Sequence, residues 1–146
     1  MKEKGKNTVF ITGGAKRIGA TISTSLAELG YNIIIHYNNS KSEAKKLCSK
    51  INKKKEIAFA VKADLKDENQ IKNAFESGKK KFGHINSLIN NASIFEYDNL
   101  KSISSQGWNN HLLTNLTAPM ILSKLLYKNL PKNIKGDIIN IIDQRV

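Results

Sequence analysis

The sequence has 146 residues, of which 40% are hydrophobic, and a formal net charge of +12 at pH 7. This length and composition predict one domain with a buried core. The single cysteine excludes an internal disulfide framework, and no apolar run approaches the ~20 residues of a membrane-spanning helix. We therefore expect a soluble, cytoplasmic protein with no membrane partner and no metal site. The lysines are spread over the predicted surface helices without interleaved aromatic residues, which favours an anionic small-molecule ligand over specific nucleic-acid binding.

Short apolar runs alternate with helical patterns along the chain. The apolar runs predict five strands, Thr8–Thr12, Asn32–Tyr37, Ile57–Val61, Ser87–Asn90 and Asp137–Ile142. Apolar residues at helical spacing predict four helices, Ala15–Leu29, Ser40–Asn52, residues 67–82 and residues 105–130. The strands are continuously apolar, which is typical of strands covered on both faces. The pattern predicts an α/β fold with a doubly wound, Rossmann-type parallel sheet.

The last predicted strand is as apolar as a central one, yet the sequence continues for only a few residues beyond it. An open hydrophobic edge strand promotes aggregation. We therefore expect residues 1–146 to form the first part of a larger domain, truncated after the fifth strand.

A glycine-rich turn follows the first strand. The segment Thr12–Gly19 reads TGGAKRIG, and such a turn between a strand and a helix lets backbone N–H groups approach a pyrophosphate. The common G-x-G-x-x-G spacing is absent. The residues of this turn that we predict to contact a dinucleotide are Gly13, Lys16, Arg17, Ile18 and Gly19.

The end of the second strand predicts which dinucleotide binds. NAD-binding folds of this type place an acid there for the ribose hydroxyls, whereas here no carboxylate occurs before Glu43. Arg17, Ser40 and Lys41 can instead bind a 2′-phosphate. The sequence therefore predicts NADP(H) as cofactor. The residues predicted to line its ribose end are His36, Tyr37, Asn38 and Ser40.

Further motifs follow the third and fourth strands, and their order resembles the short-chain dehydrogenase/reductases over residues 8–146. The match extends over roughly the first two-thirds of a complete family domain. The resembling residues are the Thr12–Gly19 turn, Asp64 and Leu65, the segment Asn90-Asn91-Ala92-Ser93, and Asn115. The resemblance implies that Asp64 and Leu65 lie near the adenine and that Asn91, Ala92 and Ser93 line the cofactor. It also implies a homo-oligomer, commonly a tetramer, for a full-length member.

Within this family the sequence looks most like the pteridine reductases. The resembling segments are TGGAKRIG, HYNNS, NNASIF and INIID, although Asn38 and Asn39 stand where basic residues often occur. This resemblance implies that Arg17 serves both the cofactor phosphate and the substrate, and that Phe95 stacks on a flat pterin ring. Asp143 stands where most members have serine, and the resemblance implies that it binds substrate N–H groups and helps to deliver a proton.

Pro119 interrupts the long predicted helix. Proline has no N–H, so it cannot bond the carbonyl four residues earlier, which belongs to Asn115. We expect a kink there and a carbonyl free to hold a water. In the family this position belongs to the proton relay, which makes Asn115 a candidate catalytic residue, although a purely structural kink would place the same residues.

The family's proton donor is a tyrosine followed four residues later by a lysine, beyond the fifth strand. Tyr37 with Lys41 and Tyr97 with Lys101 have this spacing, but neither pair follows that strand, so we reject both. We expect an NADPH-dependent reductase of a pteridine-like small molecule, with weak cofactor binding and no turnover by this chain alone. Two alternatives stay open, a 3-oxoacyl- or sugar-type carbonyl reductase and a non-catalytic cofactor-binding fragment or basic interaction protein.

Overall fold

The computed structural model describes residues 7–142 and contains one parallel sheet. Its strand order is β3-β2-β1-β4-β5. The second and third strands are therefore added on one side of β1, and the fourth and fifth strands on the other side. The strands are β1 (Thr8–Ile11), β2 (Asn32–Tyr37), β3 (Ala58–Lys62), β4 (Ser87–Asn90) and β5 (Asp137–Asn140). This order confirms the predicted doubly wound, Rossmann-type fold.

Helices connect the strands at the predicted places, with boundaries that differ by one or two residues. They are α1 (Arg17–Glu28), α2 (Lys41–Ile51), α3 (Glu68–Phe82), α4 (Ser105–Leu112) and α5 (Ala118–Asn129), with a π-helical segment (Leu113–Thr117) between the last two. A capping residue explains why α3 begins at Glu68. Asp67 accepts the N–H groups of Asn69 (2.9 Å) and Gln70 (3.1 Å) and thereby caps the helix. No helix in residues 7–142 is long and apolar enough to cross a membrane.

Two hydrophobic clusters cover the two faces of the sheet. The cluster on the α3–α5 side is centred on residues that are at most 2% exposed: Phe10, Ile34, Ile71, Phe75, Ile85, Leu88, Leu122 and Leu126. The cluster on the α1–α2 side contains Val9, Ile11, Ile33, Ile35 and Ala44. Alternate residues of the central strands thus enter opposite clusters, which explains why these strands read as continuous apolar runs.

Some apolar residues are less buried than the pattern predicts. Ile18 and Leu29, at the two ends of the predicted first helix, are 60% and 74% exposed, because the helix packs on the sheet mainly through its central turns. In β5, Ile138 and Ile139 are 46% and 49% exposed. Consecutive residues of a strand point to opposite faces, so the expectation that both faces of every strand are covered is wrong for β5. Within the described residues β5 also pairs only with β4.

The long predicted helix changes its geometry before Pro119. The structure has a π-helical segment at Leu113–Thr117, where the N–H of Ala118 donates to the carbonyl of Leu113, five residues earlier. This wider turn lies just before the proline, whose ring would clash with a regular preceding turn. The predicted interruption is therefore present, as a π-helical segment.

The contact between α3 and β2 generates a stability prediction. A methyl group at Gly78 would lie 2.5 Å from Ile34 Cδ1, and Ile34 is fully buried. Gly78→Ala should lower the free energy of unfolding by about 1 to 3 kcal/mol in urea denaturation, despite the better helix propensity of alanine.

Two further variants control this measurement. Ile34→Val removes the clashing Cδ1 atom, so it should cost less in the Gly78→Ala background than in the wild type. Gly107→Ala, in α4, would place its methyl 3.3 Å from Ser104 Oγ and should be close to neutral. Equal stability of Gly78→Ala and wild type would contradict the packing argument.

Candidate functional site

A cleft lies at the carboxyl ends of β1, β2 and β4, at the edge of the sheet where open α/β folds bind ligands. Its volume is about 360 Å³. It is lined by Gly13, Ala15, Lys16, Arg17, Ile18, Gly19, His36, Tyr37, Ser40, Asn91, Ala92 and Ser93. Eleven of the fourteen predicted cofactor residues are thus brought together.

The turn after β1 folds back on the first turn of α1 through two glycines. Gly13 has a positive φ of 60°, which glycine adopts without steric cost. A Cβ atom at Gly19 would overlap the carbonyl oxygen of Gly13 and lie 2.8 Å from Asn91 Nδ2. Glycine at position 19 is therefore required for α1 to start this close to the turn.

Polar contacts tie this turn to the end of β4. The Thr12 hydroxyl accepts the N–H groups of Asn91 and Ala92, both at 2.9 Å. In return, Asn91 Nδ2 donates to the carbonyls of Thr12 (2.9 Å) and Gly13 (3.3 Å). Asn91 therefore acts through the backbone of the turn. Thr12, whose individual role is not evident from the sequence, joins the two strand ends.

His36 holds the same turn from the β2 side. Gly13 N–H donates to His36 Nδ1 (3.1 Å), so the ring proton is on Nε2, which donates to the carbonyl of Ala63 (3.0 Å). The residue is 2% exposed and its ring stacks on Phe10. Burial lowers the pKa of His36 to about 4, against the smaller opposing effects of the Ala63 hydrogen bond and the Asp64 charge. Both ring nitrogens are used by the backbone, so His36 shapes the cleft and has no nitrogen left for a ligand.

The start of α1 is suited to an anion. The first-turn amides of a helix lack intrahelical acceptors, and the N-cap residue Lys16 offers no side-chain acceptor to replace them. Arg17, the first residue of α1, has a φ of 48°, in the left-handed region that a side chain disfavours by about 1 to 2 kcal/mol. An unfavourable backbone conformation at a cationic residue that lines a cleft is a feature of functional sites.

Lysine and hydroxyl groups mark the end of the cleft near α2. Lys16, Tyr37 and Ser40 line this end, and the side chain of Ser40 makes no capping hydrogen bond to α2. Within the described chain, no residue that lines the cleft carries a carboxylate. Glu43, in the first turn of α2, lies outside the lining, but its Oε1 is 3.1 Å from Lys16 Nζ.

Three predicted cofactor residues lie outside the cleft lining: Asn38, Asp64 and Leu65. Leu65 is 7% exposed and belongs to the core on the α3–α5 side. Asp64 Oδ1 accepts the N–H of Lys66 (3.0 Å), within the turn after β3. The predicted contacts of these residues with an adenine therefore stay predictions. Ala15 also lines the cleft, a position that its small apolar side chain does not reveal in the sequence.

The segment that follows β4 is held by side chains of α4 and the π-helical segment. Asn115 forms two hydrogen bonds of 2.9 Å with the backbone of Ile94, accepting its N–H and donating to its carbonyl. His111 Nε2 accepts the N–H of Glu96 (3.1 Å), and its Nδ1 then donates to the carbonyl of Gly107 (2.9 Å). These contacts fix the chain on both sides of Phe95.

Phe95 itself is 67% exposed and packs edge-on against Tyr97, with ring centroids 6.4 Å apart. Its ring is therefore accessible to a ligand, and its predicted contact with a pterin stays a prediction. The predicted substrate residue Asp143 lies outside the described residues, so its predicted role is not tested.

The geometry of His36 predicts a pH-dependent stability. An unfolded histidine has a pKa of 6.5, whereas the folded value is about 4, so the unfolded chain binds more protons between these pH values. The stability contributed by His36 is full above pH 6.5 and is lost as the pH falls towards 4, by about 2 to 3 kcal/mol. Urea unfolding from pH 7 to pH 4 should show this loss, and His36→Gln, which keeps an acceptor for Gly13, should flatten it. An unchanged pH profile in the variant would contradict the assignment.

Comparison with known proteins gives a family. The family model described as short chain dehydrogenase matches residues 7–144. A 3-oxoacyl-[acyl-carrier-protein] reductase FabG of Staphylococcus aureus is 29% identical over 134 residues, which cover 92% of this chain and 54% of that protein. The short chain dehydrogenase claC of Passalora fulva is 29% identical over 120 residues, which cover 82% of this chain and 45% of that protein. The chain thus spans about half the length of the curated relatives it matches.

Solved structures agree with this result. FolM alternative dihydrofolate reductase 1 from Brucella suis, in complex with NADP, superposes with a TM-score of 0.91 and 35% sequence identity, over 95% of this chain and 58% of that chain. A blue fluorescent protein from a metagenomic library, in complex with NADPH, superposes with a TM-score of 0.88 and 30% identity, over 94% of this chain and 56% of that chain. From the match over residues 7–144, the chain belongs to the short-chain dehydrogenase family.

Proposed function

We propose that this protein is an NADPH-dependent short-chain reductase whose substrate is a pteridine. The observation that carries the proposal is Arg17, a cation held in the left-handed region at the start of α1 and lining the cleft. At this position of the turn a glycine would be free of strain, so the arginine side chain is the feature that needs a function.

The cofactor proposal rests on the charges around the cleft. Lys16 and Arg17 line it together with Ser40, whose hydroxyl makes no capping hydrogen bond to α2, and these groups suit the phosphates of NADPH. The uncapped first turn of α1 adds backbone donors for a pyrophosphate. The structural relatives described as complexes with NADP or NADPH support the same choice. On this basis we propose that the predicted residues of the cleft lining contact the cofactor, with His36 contributing through the turn that it holds.

The substrate proposal rests on Arg17 and Phe95. A flat, electron-poor heterocycle is recognised by stacking on an aromatic ring and by hydrogen bonds to its ring edge. Phe95 offers an exposed ring on a segment that Asn115 and His111 hold in place, and Arg17 offers donors. The relative described as an alternative dihydrofolate reductase is named for a substrate that contains a pteridine ring.

NADPH would supply the hydride, and the chain must supply binding, orientation and a proton. We propose that Asp143 hydrogen-bonds substrate N–H groups and that the carbonyl of Asn115 holds a water of the proton relay. The Asn115 side chain is already used on Ile94, so this role falls to its backbone. Pro119 has no N–H to offer that carbonyl, which supports the proposal.

A 3-oxoacyl carbonyl reductase is the second candidate, because curated relatives of that activity are 28–29% identical to this chain. A substrate on a long carrier arm needs no aromatic stacking, so Phe95 discriminates between the two candidates.

The tetramer implied by the resemblance stays a prediction. Trp108, Leu112, Leu116 and Met120 form an exposed apolar stripe at intervals of four residues, and the mass in solution would test whether it is an interface.

Two variants of Arg17 separate the effect of its charge on cofactor binding from the effect of its backbone conformation on stability. Arg17→Met removes the charge and keeps a side chain in the left-handed region, whereas Arg17→Gly removes both the charge and the strain. Both should weaken NADPH binding about tenfold or more in calorimetric titrations, since each loses a charge-assisted hydrogen bond. Arg17→Gly should be more stable than Arg17→Met by about 1 kcal/mol in urea denaturation. Wild-type protein that binds NADH more tightly than NADPH would contradict the cofactor proposal.

Substitution of Phe95 tests the proposal that the substrate is a pteridine. With NADP⁺ present, Phe95→Ala should weaken binding of a dihydropterin about tenfold, because the stacking surface is lost, and leave NADPH affinity unchanged. Leu100→Ala is the matched control, since Leu100 lies in the same segment and is 99% exposed. Binding of an acetoacetyl thioester in preference to the pterin by the wild type would support the carbonyl-reductase alternative.

A further inference from the structure

One ion pair at the edge of the cleft joins the turn after β1 to the start of α2. Lys16 Nζ lies 3.1 Å from Glu43 Oε1, and the side chains are 51% and 46% exposed. Lys16 lines the cleft and Glu43 does not. The ammonium group that a ligand would meet at this end is therefore already paired with a carboxylate.

Glu43 also interacts with the start of its own helix. The backbone amide of Glu43, in the first turn of α2, and then the hydrogen bond from Lys16 lower the pKa of the Glu43 carboxyl. The N-cap residue Ser40 makes no side-chain cap there. The Glu43 carboxylate is thus paired with a lysine ammonium and lies in the first turn of a helix, and a lysine and a helix N-terminus are the two kinds of group that a bound phosphate would contact.

We propose that Glu43 is a specificity-determining residue that competes with the 2′-phosphate of the cofactor for Lys16, and so limits the preference for NADPH over NADH. The inference rests on the proposed function, because it takes the cleft to be a dinucleotide site. A 2′-phosphate next to Ser40 and Lys16 would lie close to the Glu43 carboxylate. Repulsion between the two anions requires Glu43 to leave Lys16 when the phosphate binds.

The energetic cost of that exchange is small. An exposed ion pair stabilises a protein by at most about 1 kcal/mol, so Glu43 can be displaced at little cost. A cofactor without the 2′-phosphate leaves the pair intact and avoids this cost. Glu43 therefore reduces the discrimination between the two cofactors without blocking either of them.

The experiment compares Glu43→Gln with wild type in titrations of NADPH, NADH, adenosine 2′,5′-bisphosphate and 5′-AMP. Glu43→Gln should tighten NADPH and the bisphosphate about twofold to fivefold and leave NADH and 5′-AMP unchanged. The gain should shrink as the salt concentration rises, because the repulsion is screened. The two adenosine probes test the 2′-phosphate contact without the nicotinamide half.

Glu68→Gln is the matched control. Glu68 also lies in the first turn of a helix and pairs with a lysine, Lys72, at 2.7 Å, and the two side chains are 58% and 49% exposed. Glu68→Gln removes the same charge as Glu43→Gln, but at a position outside the cleft lining. All four ligands should bind this variant as they bind the wild type.

A double-mutant cycle tests whether Glu43 acts through Lys16. In a Lys16→Met background, the gain of Glu43→Gln for NADPH should be clearly smaller, because no ammonium is left to compete for and none holds Glu43 beside the phosphate. An undiminished gain there would overturn the competition for Lys16. Weaker NADPH binding by Glu43→Gln would show that Glu43 positions Lys16, and weaker NADH binding would show that it binds the ribose; either result overturns the proposal.

The results that would contradict the proposed function differ from those that would contradict the role of Glu43. Wild-type protein that binds neither NADPH nor NADH, although folded by circular dichroism, contradicts the dinucleotide site itself. Wild-type protein that binds NADPH with an affinity that Glu43→Gln does not change contradicts only the role of Glu43.

Discussion

Gly19 lies so close to the carbonyl of Gly13 that no side chain fits between them, and the cleft depends on this contact. It allows α1 to begin directly beside the turn after β1, with its uncapped amides facing the cleft. Asn91 and Thr12 then join the turn to β4, and His36 joins it to β2. Three neighbouring strands thereby hold one turn, which is how a flexible glycine-rich sequence acquires a defined shape.

The cleft that results is cationic, but its charges are not all free. Arg17 lines it from a strained backbone position, and Lys16 is shared with Glu43. The buried His36 is neutral at physiological pH, because burial lowers its pKa to about 4, so it adds shape and no charge. An anion in this cleft would meet Lys16, Arg17 and the N-terminus of α1, and Lys16 is already paired with Glu43.

The opposite wall of the cleft leads into the segment that carries Phe95. Asn115 and His111 bind its backbone, so the position of Phe95 depends on the π-helical segment and α4. A change in the geometry of the helix at Leu113–Thr117 would move the Asn115 side chain and, with it, the chain around Ile94. The region that would meet a substrate is thus coupled to the interrupted helix by two side chains.

Much of the fold was predictable from the sequence because it depends on local patterns. The order of strands and helices follows from apolar runs and helical spacing, and the turn at Gly13–Gly19 follows from its glycines. The positions of Lys16, Arg17, Ser40 and Ala92 in one cleft follow from the rule that parallel strands present their carboxyl ends at one edge. These features can be predicted without knowing which side chains contact each other in the folded protein.

Tertiary contacts decided the rest. The sequence predicts His36 to line the cofactor site, but only the fold shows that both of its ring nitrogens bond backbone groups of other segments. Leu65 follows a strand end like the cleft residues, yet it packs into the core, because the chain turns towards α3 there. The pairing of Lys16 with Glu43 joins residues 27 positions apart. Sequence pattern determines which residues reach the edge of the sheet, whereas the packing of loops against each other determines which of their polar atoms remain free for a ligand.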